Sequence, residues 1–464
     1  MSTTPDKPSN AGKTKAKKGS KTLGASLTRL FFISNDVELE SNHYLLLINQ
    51  SIINTAASKV DMSLSTVNCV GVVSSKGGQV EFINTSIPEP LDDQIVIKIR
   101  ASGVCGTDLQ TIDGIFGEQY PFTPGHEGVG IVEKIGRNVS DNDFKIGQHV
   151  GIPWLGDACG SCEACDTGKE YICSKQKNTG FTTQGTFAQY VAVAASHTVH
   201  LPSNLSFEQA APILCAGVTA YKALHSSVSG LQPGDWVCIV GAAGGLGHLA
   251  CQYAKAMGFQ VLALDAGSTK CEFALTVGSD IALDSSVLGK YRQRIISAGG
   301  STNDCKCVGS CKCECTSCSQ DRDTMEEAAT SAKVTELVNT ALSHTGGQGC
   351  HAVINFAPNI PAIEASPLFC RKGGTVVYVA IPKIGRASVD VNDAILRAIT
   401  LRGSIVGTRH DLVNALSFAS RGMVKSIVHI EPFSAINEVL QNLRKNTYEG
   451  RVVLSHTPRE SGIA

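Results

Sequence analysis

The sequence predicts an α/β protein in which a β-rich unit precedes a doubly wound domain with a parallel sheet. Short β-like runs separated by turns, such as CVGVVSS and QIVIKIRASGV, begin near Val67 and continue to about Pro202. After that point the stretch DWVCIVGAAGGLGHLACQYAKAMGFQVLALDAG has the pattern strand, glycine loop, helix, strand. Strand-helix alternation continues through HAVINFA and GGTVVYVAIP, which is typical of a parallel sheet covered by helices.

Composition excludes several classes of protein. The 464-residue chain has 40 Lys and Arg residues against 41 Asp and Glu residues, which argues against a nucleic-acid partner. No apolar run approaches the ~18 residues of a membrane span, so we expect no membrane partner. The 18 cysteines follow an N-terminus without a secretory signal. In a reducing compartment, clustered cysteines are better explained as metal ligands than as disulfides.

Residues 1–61 differ from the rest of the chain. Residues 1–30 carry seven basic residues, one acid and many small polar residues, and residues 31–61 have no clear helical or alternating pattern, which predicts a disordered tail. A mispredicted extension upstream of Met62 and a mitochondrial presequence are the alternatives. We therefore expect a cytoplasmic protein, with mitochondrial import as the alternative if the extension is genuine.

The loop GAAGGLG lies between an apolar strand and a helix, as a dinucleotide-binding loop does. The residues it offers to the tight turn, the pyrophosphate and the helix packing are Gly241, Gly244, Gly245, Leu246 and Gly247. Asp265 ends the next strand, where its carboxylate would accept hydrogen bonds from an adenosine ribose and repel a 2′-phosphate. The loop therefore predicts NAD over NADP. Lys270 is a candidate for the same ribose, with a solvated surface lysine as the alternative.

Four cysteines share one short loop with the spacing C-x2-C-x2-C-x7-C. They are Cys159, Cys162, Cys165 and Cys173. Thiolates at such separations can close a tetrahedron around zinc with no open position, which predicts a structural metal site. An iron-sulfur cluster is the lesser alternative.

A second group of metal-binding side chains is dispersed along the chain. Cys105, His126 and Cys215 supply two thiolates and one imidazole, the ligand count of a catalytic zinc that keeps its fourth position open. Asp108 is a candidate to accept the second ring N–H of His126 and so set its tautomer. A buried thiol or a turn residue is the ordinary explanation for each residue taken alone.

Together these motifs resemble the zinc-dependent medium-chain alcohol dehydrogenases, most closely those of yeast and other fungi. SGVCGTDL, PGHEGVG, the four-cysteine loop, APILCAGVTAYKAL, GAAGGLG, QYAKAMG and RGMVKS occur in the order of that family, over about residues 67–453. The resemblance implies a GroES-like catalytic domain at 62–215, a Rossmann NAD-binding domain at 216–406, and a return of residues 407–464 to the catalytic domain. It also implies NAD and two zinc ions per subunit, and a homotetramer.

The activity that the resemblance implies is the reversible oxidation of primary alcohols to aldehydes, and of secondary alcohols to ketones where they fit. Cys105, His126 and Cys215 match the ligands of the catalytic zinc. Glu127 matches a neighbouring carboxylate that can approach that metal, and Thr107 matches a hydroxyl that binds the substrate oxygen.

The resemblance also extends to the coenzyme and the substrate. Arg451 matches a residue near the coenzyme phosphates. The positions that match the substrate pocket hold Phe116, Trp154 and Ile381, an apolar wall that would admit short and somewhat longer or branched alcohols. Simple core packing is the alternative for each.

Two positions depart from the yeast pattern. Gln110 stands where those relatives have a histidine that passes the proton to solvent, so proton release must take another path. Gly106 stands where they have a basic or histidine side chain near the pyrophosphate, which predicts weaker NAD binding. We expect altered pH dependence and affinity, with activity retained.

A cysteine-rich insert at about 298–332 has no counterpart in the family pattern. Its six cysteines are Cys305, Cys307, Cys311, Cys313, Cys315 and Cys318. Their spacing resembles that of metallothioneins, in which thiolates bind several Cu(I) or zinc ions. We predict a surface loop, either a tolerated insertion or mispredicted intron, or a metal-loading or redox-sensing element.

Three rival functions stay open at this point. Another enzyme of the same superfamily would act on polyols, aryl alcohols or formaldehyde adducts. A regulatory metal-binding protein on a retired enzyme scaffold is the alternative from a different class. A zinc-finger nucleic-acid binder is weaker, since the four-cysteine loop lacks a basic recognition helix.

Overall fold

The computed structural model describes residues 67–225, 228–290, 316–383 and 385–456. The predicted N-terminal tail at 1–61 and five of the six insert cysteines lie outside these ranges. No helix in the described ranges is long and apolar enough to cross a membrane.

The first part of the described chain is mostly β-structure. Its strands are β1 Val67–Val72, β2 Glu81–Ser86, β3 Gln94–Val104, β4 Gly128–Ile135, β5 His149–Ile152, β6 Leu155–Asp157, β7 Lys177–Asn178, β8 Tyr190–Ala194 and β9 Val199–His200. Its short helices are α1 Gly106–Ile112, α2 Glu163–Asp166 and α3 Phe207–Ala210. The consecutive residues Ile95, Val96 and Ile97 of β3 are all buried, as expected for a strand that is covered on both faces.

The second part alternates strands and helices. Its strands are β10 Trp236–Val240, β11 Gln260–Asp265, β12 Ile281–Asp284, β13 Cys350–Asn355, β14 Cys370–Tyr378 and β15 Thr400–Gly403. Its helices are α4 Ala216–His225, α5 Gly247–Ala256, α6 Ser268–Thr276, α7 Thr316–His344, α8 Ile360–Ala365, α9 Val391–Leu396 and α10 Arg409–Ser420. The chain then ends its described part with β16 Val428–Pro432, α11 Ile436–Arg444 and β17 Arg451–Ser455.

The six strands β10 to β15 form one parallel sheet in the order β12-β11-β10-β13-β14-β15. This order reverses direction between β10 and β13, and ligands bind such sheets in the crevice at that point, beyond the carboxyl ends of the strands. The predicted doubly wound sheet is confirmed.

The last strands join the first sheet. The order β16-β17-β3-β4-β5-β9, with β8 also paired to β3, inserts β17 beside the strand that precedes Cys105. Residues 451–455 therefore lie in the β-rich domain, next to the predicted metal ligands.

The return to the β-rich domain, predicted for 407–464, comes after α10 in the structure, because α10 packs against α4 and α5: Phe418 contacts Tyr221 and Tyr253, and the Tyr253 hydroxyl donates to the carbonyl of Ala415. One continuous core joins the two domains, since Ala101, Val129 and Val453 pack in the same cluster as Val237 of β10.

The structure corrects the prediction for the insert. Residues from Thr316 are helical and belong to α7, so the loop predicted at about 298–332 is wrong over its second half, from 316 to 332. The physical reason lies further along the helix, where Val334, Leu337 and Ala341 are buried against the parallel sheet at helical spacing. The packed end of the helix supports the turns that precede it.

Deletion of residues 301–330 should leave the fold intact, because Val334, Leu337 and Ala341, which pack against the sheet, lie beyond the deleted part. By contrast, Leu337→Ala should lower the free energy of unfolding by about 2–5 kcal/mol, the usual effect of a buried cavity. Chemical unfolding of both variants against the unaltered chain checks this. A deletion variant that fails to fold would show that the insert is structural.

Candidate active site and metal centres

Asp108 organises the first metal-binding cluster. Cys105 is the N-cap of α1, and its backbone N–H donates to Asp108 Oδ2 at 2.8 Å in a capping box. Asp108 Oδ1 accepts from the backbone N–H of Gly125 at 3.2 Å and lies 2.8 Å from His126 Nδ1. One carboxylate therefore holds the segments that carry two of the predicted ligands. It also favours the tautomer in which His126 Nδ1 carries the proton.

The side chains predicted to bind the catalytic metal converge. Cys105, His126, Glu127 and Cys215 are all buried, and their ligand atoms lie within 4.8 Å of one another. Since Nδ1 is engaged by Asp108, Nε2 is the ring nitrogen that faces the cluster, and it has no hydrogen-bond partner among the described residues. A buried nitrogen without a partner is costly unless a ligand satisfies it. Two thiols and one imidazole around a common point fit zinc.

The charges around this cluster favour a thiolate. Contact with the Cys215 thiol lowers the pKa of Cys105 well below that of a free thiol, and His126 and Arg451 act in the same direction against the effect of burial. Burial raises the pKa of Glu127 to about 7, although the guanidinium of Arg451 opposes this shift. Glu127 Oε1 accepts a hydrogen bond from Arg451 Nη2, and both side chains are buried.

The four-cysteine loop forms a second cluster. Its sulfur atoms are separated by 4.0 Å for Cys159 and Cys165, 3.6 Å for Cys162 and Cys165, 3.8 Å for Cys162 and Cys173, and 3.5 Å for Cys173 and Cys159. Four sulfurs about 2.3 Å from a zinc ion would be about 3.8 Å from one another. The donor set and its spacing therefore fit a closed tetrahedral zinc site.

The glycine loop lies at the carboxyl end of β10, at the reversal of strand order. Gly241 has φ +79°, and a Cβ on Gly247 would lie 2.0 Å from the carbonyl oxygen of Gly241, so a tight turn and close helix packing both require glycine here. Leu246 is the N-cap of α5. Gly244 also lies in this loop, and its carbonyl is the acceptor for a histidine described below.

Asp265 lies at the end of β11, beside the glycine loop. Its Oδ2 accepts from the backbone N–H of Ala243 at 2.8 Å, and Lys270 Nζ is 3.9 Å from its Oδ1. The carboxylate thus helps to shape the loop and remains partly exposed beside it. Both residues stand where the adenosine end of a dinucleotide would bind.

Arg451 connects the coenzyme loop with the metal-binding cluster. Its guanidinium pairs with Glu127, and its Nη1 would lie 2.9 Å from a Cβ on Gly245. The preceding residue reinforces the contact, since the backbone N–H of Gly450 donates to the carbonyl of Ala243. The positive charge therefore stands between the predicted pyrophosphate loop and the predicted zinc ligands.

His248 was not anticipated from the sequence. It follows the glycine loop on α5, where its Nδ1 lies 3.1 Å from the carbonyl of Gly244 and its Nε2 accepts from the backbone N–H of Ile427 at 3.2 Å. Burial lowers its pKa to about 4, so the imidazole is neutral. The His248 side chain joins the glycine loop to the segment that leads back to the first domain. Nothing in the local sequence indicates this contact.

Two of the three predicted pocket residues come together next to His126. The ring centroids of Phe116 and Trp154 are 6.4 Å apart, and Trp154 is 5.1 Å from His126. Phe181, which was not predicted, adds a ring 6.1 Å from Phe116 and 6.4 Å from Trp154. These rings form an apolar wall beside the candidate metal site.

Ile381, the third predicted pocket residue, comes from the other domain. No described contact joins its side chain to the aromatic wall, but its carbonyl oxygen accepts from Gln110 Nε2 at 2.9 Å. Gln110 is on α1, next to Cys105 and Thr107. Its amide therefore links the two domains at the edge of the site.

Comparison with known proteins agrees with this geometry. Residues 91–203 match the model of the alcohol dehydrogenase GroES-like domain, and residues 322–421 match that of the zinc-binding dehydrogenase. An alcohol dehydrogenase of Geobacillus stearothermophilus is 39% identical over 78% of this chain and 91% of its own. One of Schizosaccharomyces pombe is 32% identical over 85% of this chain and 99% of its own. The crystal structure of the alcohol dehydrogenase from Aeropyrum pernix superposes with a TM-score of 0.67 at 25% identity, over 83% of this chain and 99% of that one. The chain belongs to the zinc-dependent medium-chain alcohol dehydrogenase family.

Proposed function

We propose that this protein oxidises short primary alcohols to aldehydes, and secondary alcohols to ketones where they fit, with NAD as hydride acceptor. The observation that carries the proposal is the buried cluster of Cys105, His126 and Cys215. Nε2 of His126 lies inside it, with no hydrogen-bond partner in the part of the chain that the structure describes. The aromatic wall beside His126 would bind the substrate, and the glycine loop, which Arg451 connects to the cluster, would bind the hydride acceptor.

In this proposal Cys105, His126 and Cys215 hold a zinc ion and leave a position for the substrate oxygen. Bound zinc would lower the pKa of the alcohol hydroxyl, and bound NAD would accept the hydride. The hydroxyl of Thr107, at the start of α1, would accept a hydrogen bond from the alcohol and relay its proton, giving up its own proton to water as it takes up that of the alcohol. Glu127, already held by Arg451, supplies a carboxylate that can balance charge at the metal.

Different residues would bind the pyrophosphate and the adenosine ribose of the coenzyme. The N-terminus of α5 and Arg451 would bind the pyrophosphate, and Asp265 would accept hydrogen bonds from the adenosine ribose, with Lys270 beside it. At Gly106 a Cβ would meet nothing within 4 Å, so this position has room for a basic side chain but offers none. We infer that the pyrophosphate depends more on Arg451 here.

An exposed apolar surface supports self-association. The edge strand β15 is exposed throughout, and on the adjacent α9 the exposed fractions are 61% for Val391, 69% for Ile395 and 82% for Leu396. Unpaired strand edges and contiguous apolar residues are typical of protein interfaces. We propose that two copies meet here, as part of a homotetramer.

The remaining expectations belong to the same proposal. We propose two zinc ions per subunit, one in each cluster. A cytoplasmic location is proposed from the cysteine usage, with mitochondrial import as the alternative. For the insert cysteines we propose a tolerated insertion, with metal binding as the alternative.

Purified protein should reduce NAD when ethanol is added, and about two zinc ions per subunit should be found by elemental analysis. Turnover should fall as a chelator removes zinc, because no other group in the cluster can polarise the alcohol. NADH absorbance over a panel of straight, branched, polyol and aryl alcohols measures both activity and preference. Full zinc loading without turnover on the whole panel would contradict the proposal and favour the retired scaffold.

Asp265→Asn should shift coenzyme preference, because it removes the charge that repels a 2′-phosphate but keeps the shape of the side chain. We expect the ratio of kcat/KM for NAD to that for NADP to fall by about tenfold, which corresponds to ~1.4 kcal/mol. Asp284→Asn is the matched control, since Asp284 ends the neighbouring strand β12 and binds the backbone N–H of Gly267. Equal shifts in both variants would refute the assignment of Asp265.

Gln110→His should make alcohol oxidation more sensitive to pH. The amide of Gln110 does not titrate, whereas an imidazole with a pKa of about 6.5 would accept the proton as pH rises through that value. We expect kcat above neutral pH to rise by up to roughly tenfold, which is less than the ~10²–10⁴-fold of direct general acid–base catalysis, because water already offers a path for the proton. Gln110→Met loses the contact with Ile381 without adding a base, so its pH profile of kcat should keep the original shape. An unchanged profile in the histidine variant would exclude this route.

A further inference from the structure

Two side chains of the four-cysteine loop leave the loop and contact the coenzyme domain. Glu170 and Tyr171 lie in a short 3-10 turn, Glu170–Ile172, between the third and fourth cysteines. The spacing of the cysteines does not require either residue. Both nevertheless meet basic residues of the other domain.

Tyr171 covers the ammonium group of Lys222. Lys222 lies on α4 and is only 4% exposed. Its Nζ stands 3.0 Å from the centroid of the Tyr171 ring and donates a hydrogen bond of 2.8 Å to the carbonyl of Ile405. A buried ammonium group is costly unless such partners compensate for lost water, and a ring face attracts a cation most strongly when it is desolvated. Lys222 therefore fixes the position of the Ile405 carbonyl relative to the Tyr171 ring.

Glu170 contacts the same part of the coenzyme domain from a second side. Its Oε1 accepts from the backbone N–H of Arg409 at 3.0 Å, at the first residue of the 12-residue helix α10. A carboxylate is favoured at that positive helix end. Arg409 also returns a contact to the first domain, since its Nη1 donates to the carbonyl of Ser196 at 2.8 Å.

These contacts hold the segment 404–408 at both ends. Between Ile405 and Arg409, Val406 has φ +34°, which is unfavourable for a β-branched residue. Next to it, a Cβ on Gly407 would lie 2.4 Å from Val218 Cγ2, so the backbone is pressed against α4. Such a conformation persists only where the surroundings determine it.

The segment lies where the nicotinamide end of the coenzyme belongs. It follows β15, whereas the adenosine side chain Asp265 follows β11 and the pyrophosphate loop follows β10, so a dinucleotide that crosses the reversal point extends toward β15. Val406, Gly407 and Thr408 line an apolar cleft that is also lined by Trp154 and Leu214. Trp154 packs on His126, which puts this segment across from the metal-binding cluster.

We propose that Glu170 and Tyr171 are positioning residues that set the segment 404–408 through Arg409 and Lys222 and so orient the nicotinamide half of NAD. The four-cysteine loop would then control coenzyme geometry in addition to stability. This inference rests on the proposed function, because it requires NAD to be the coenzyme.

The test compares NADH with ADP-ribose, which has the adenosine and pyrophosphate parts but no nicotinamide. In the full-length, zinc-loaded protein, Lys222→Met and Tyr171→Leu should each weaken NADH binding by about tenfold and lower kcat, while ADP-ribose affinity stays within about twofold. Tyr171→Phe keeps the ring and should bind NADH with the affinity of the unaltered protein. NADH fluorescence gives its dissociation constant, and competition gives that of ADP-ribose.

Further measurements separate positioning from general damage. Tyr171 is partly exposed, so Tyr171→Leu remains informative if the buried Lys222→Met variant does not fold. Lys98→Met is the matched control, because Lys98 lies 5.5 Å from the centroid of the Tyr190 ring, outside the coenzyme domain. Equal weakening of NADH and ADP-ribose, or zinc loss in the Tyr171→Leu variant, would overturn the inference. Failure of the unaltered protein to bind NADH would instead overturn the proposed function, and the inference with it.

Discussion

The buried ion pair between Glu127 and Arg451 is the interaction on which the arrangement of the site depends. Glu127 follows a predicted zinc ligand, and Arg451 begins the last strand of the described chain, 324 positions later. A pair of this kind contributes little net stability, yet removal of one partner leaves an uncompensated charge and typically costs about 3–5 kcal/mol. Because Arg451 also contacts the glycine loop, the pair requires β17, the metal-binding cluster and the coenzyme loop to adopt one mutual position.

Close packing around this pair explains why small residues occur in the motifs. A Cβ on Gly103 would lie 1.9 Å from Glu127 Oε2, and one on Gly128 would lie 2.4 Å from Thr186 Cγ2. Gly103 of SGVCGTDL therefore leaves room for the carboxylate, and Gly128 of PGHEGVG leaves room for Thr186. Gly125 of the second motif has φ +97°, a backbone conformation that favours glycine. Asp108 completes the arrangement, since one carboxylate both caps α1 at Cys105 and orients His126.

The two metal-binding clusters differ in how they are built, and the difference matches their proposed roles. The four sulfurs near the surface come from one loop of fifteen residues and form a closed set. The buried cluster draws its side chains from three separate segments and faces an aromatic wall. Two contacts join the four-cysteine loop to the coenzyme domain, that of Tyr171 with Lys222 and that of Glu170 with Arg409. The loop that would bind the structural zinc therefore also contacts the domain that would present the coenzyme to the catalytic zinc.

The amino-acid sequence alone specified the features that depend on residues close together in the chain. Hydrophobic periodicity predicted the β-rich unit and the parallel sheet, and short spacing predicted the four-cysteine cluster, because strands, turns and a compact thiolate set involve nearby residues only. The dispersed set Cys105, His126 and Cys215 was found by ligand count and family resemblance. The tertiary structure alone decided the pairing of Arg451 with Glu127, the use of Gln110 as an interdomain contact, and the helix that begins at Thr316. It also revealed the contacts of Lys222 with Tyr171 and Ile405, which nothing in the sequence indicated. Contacts between residues more than a hundred positions apart carry no local pattern, since they arise only when the two domains pack.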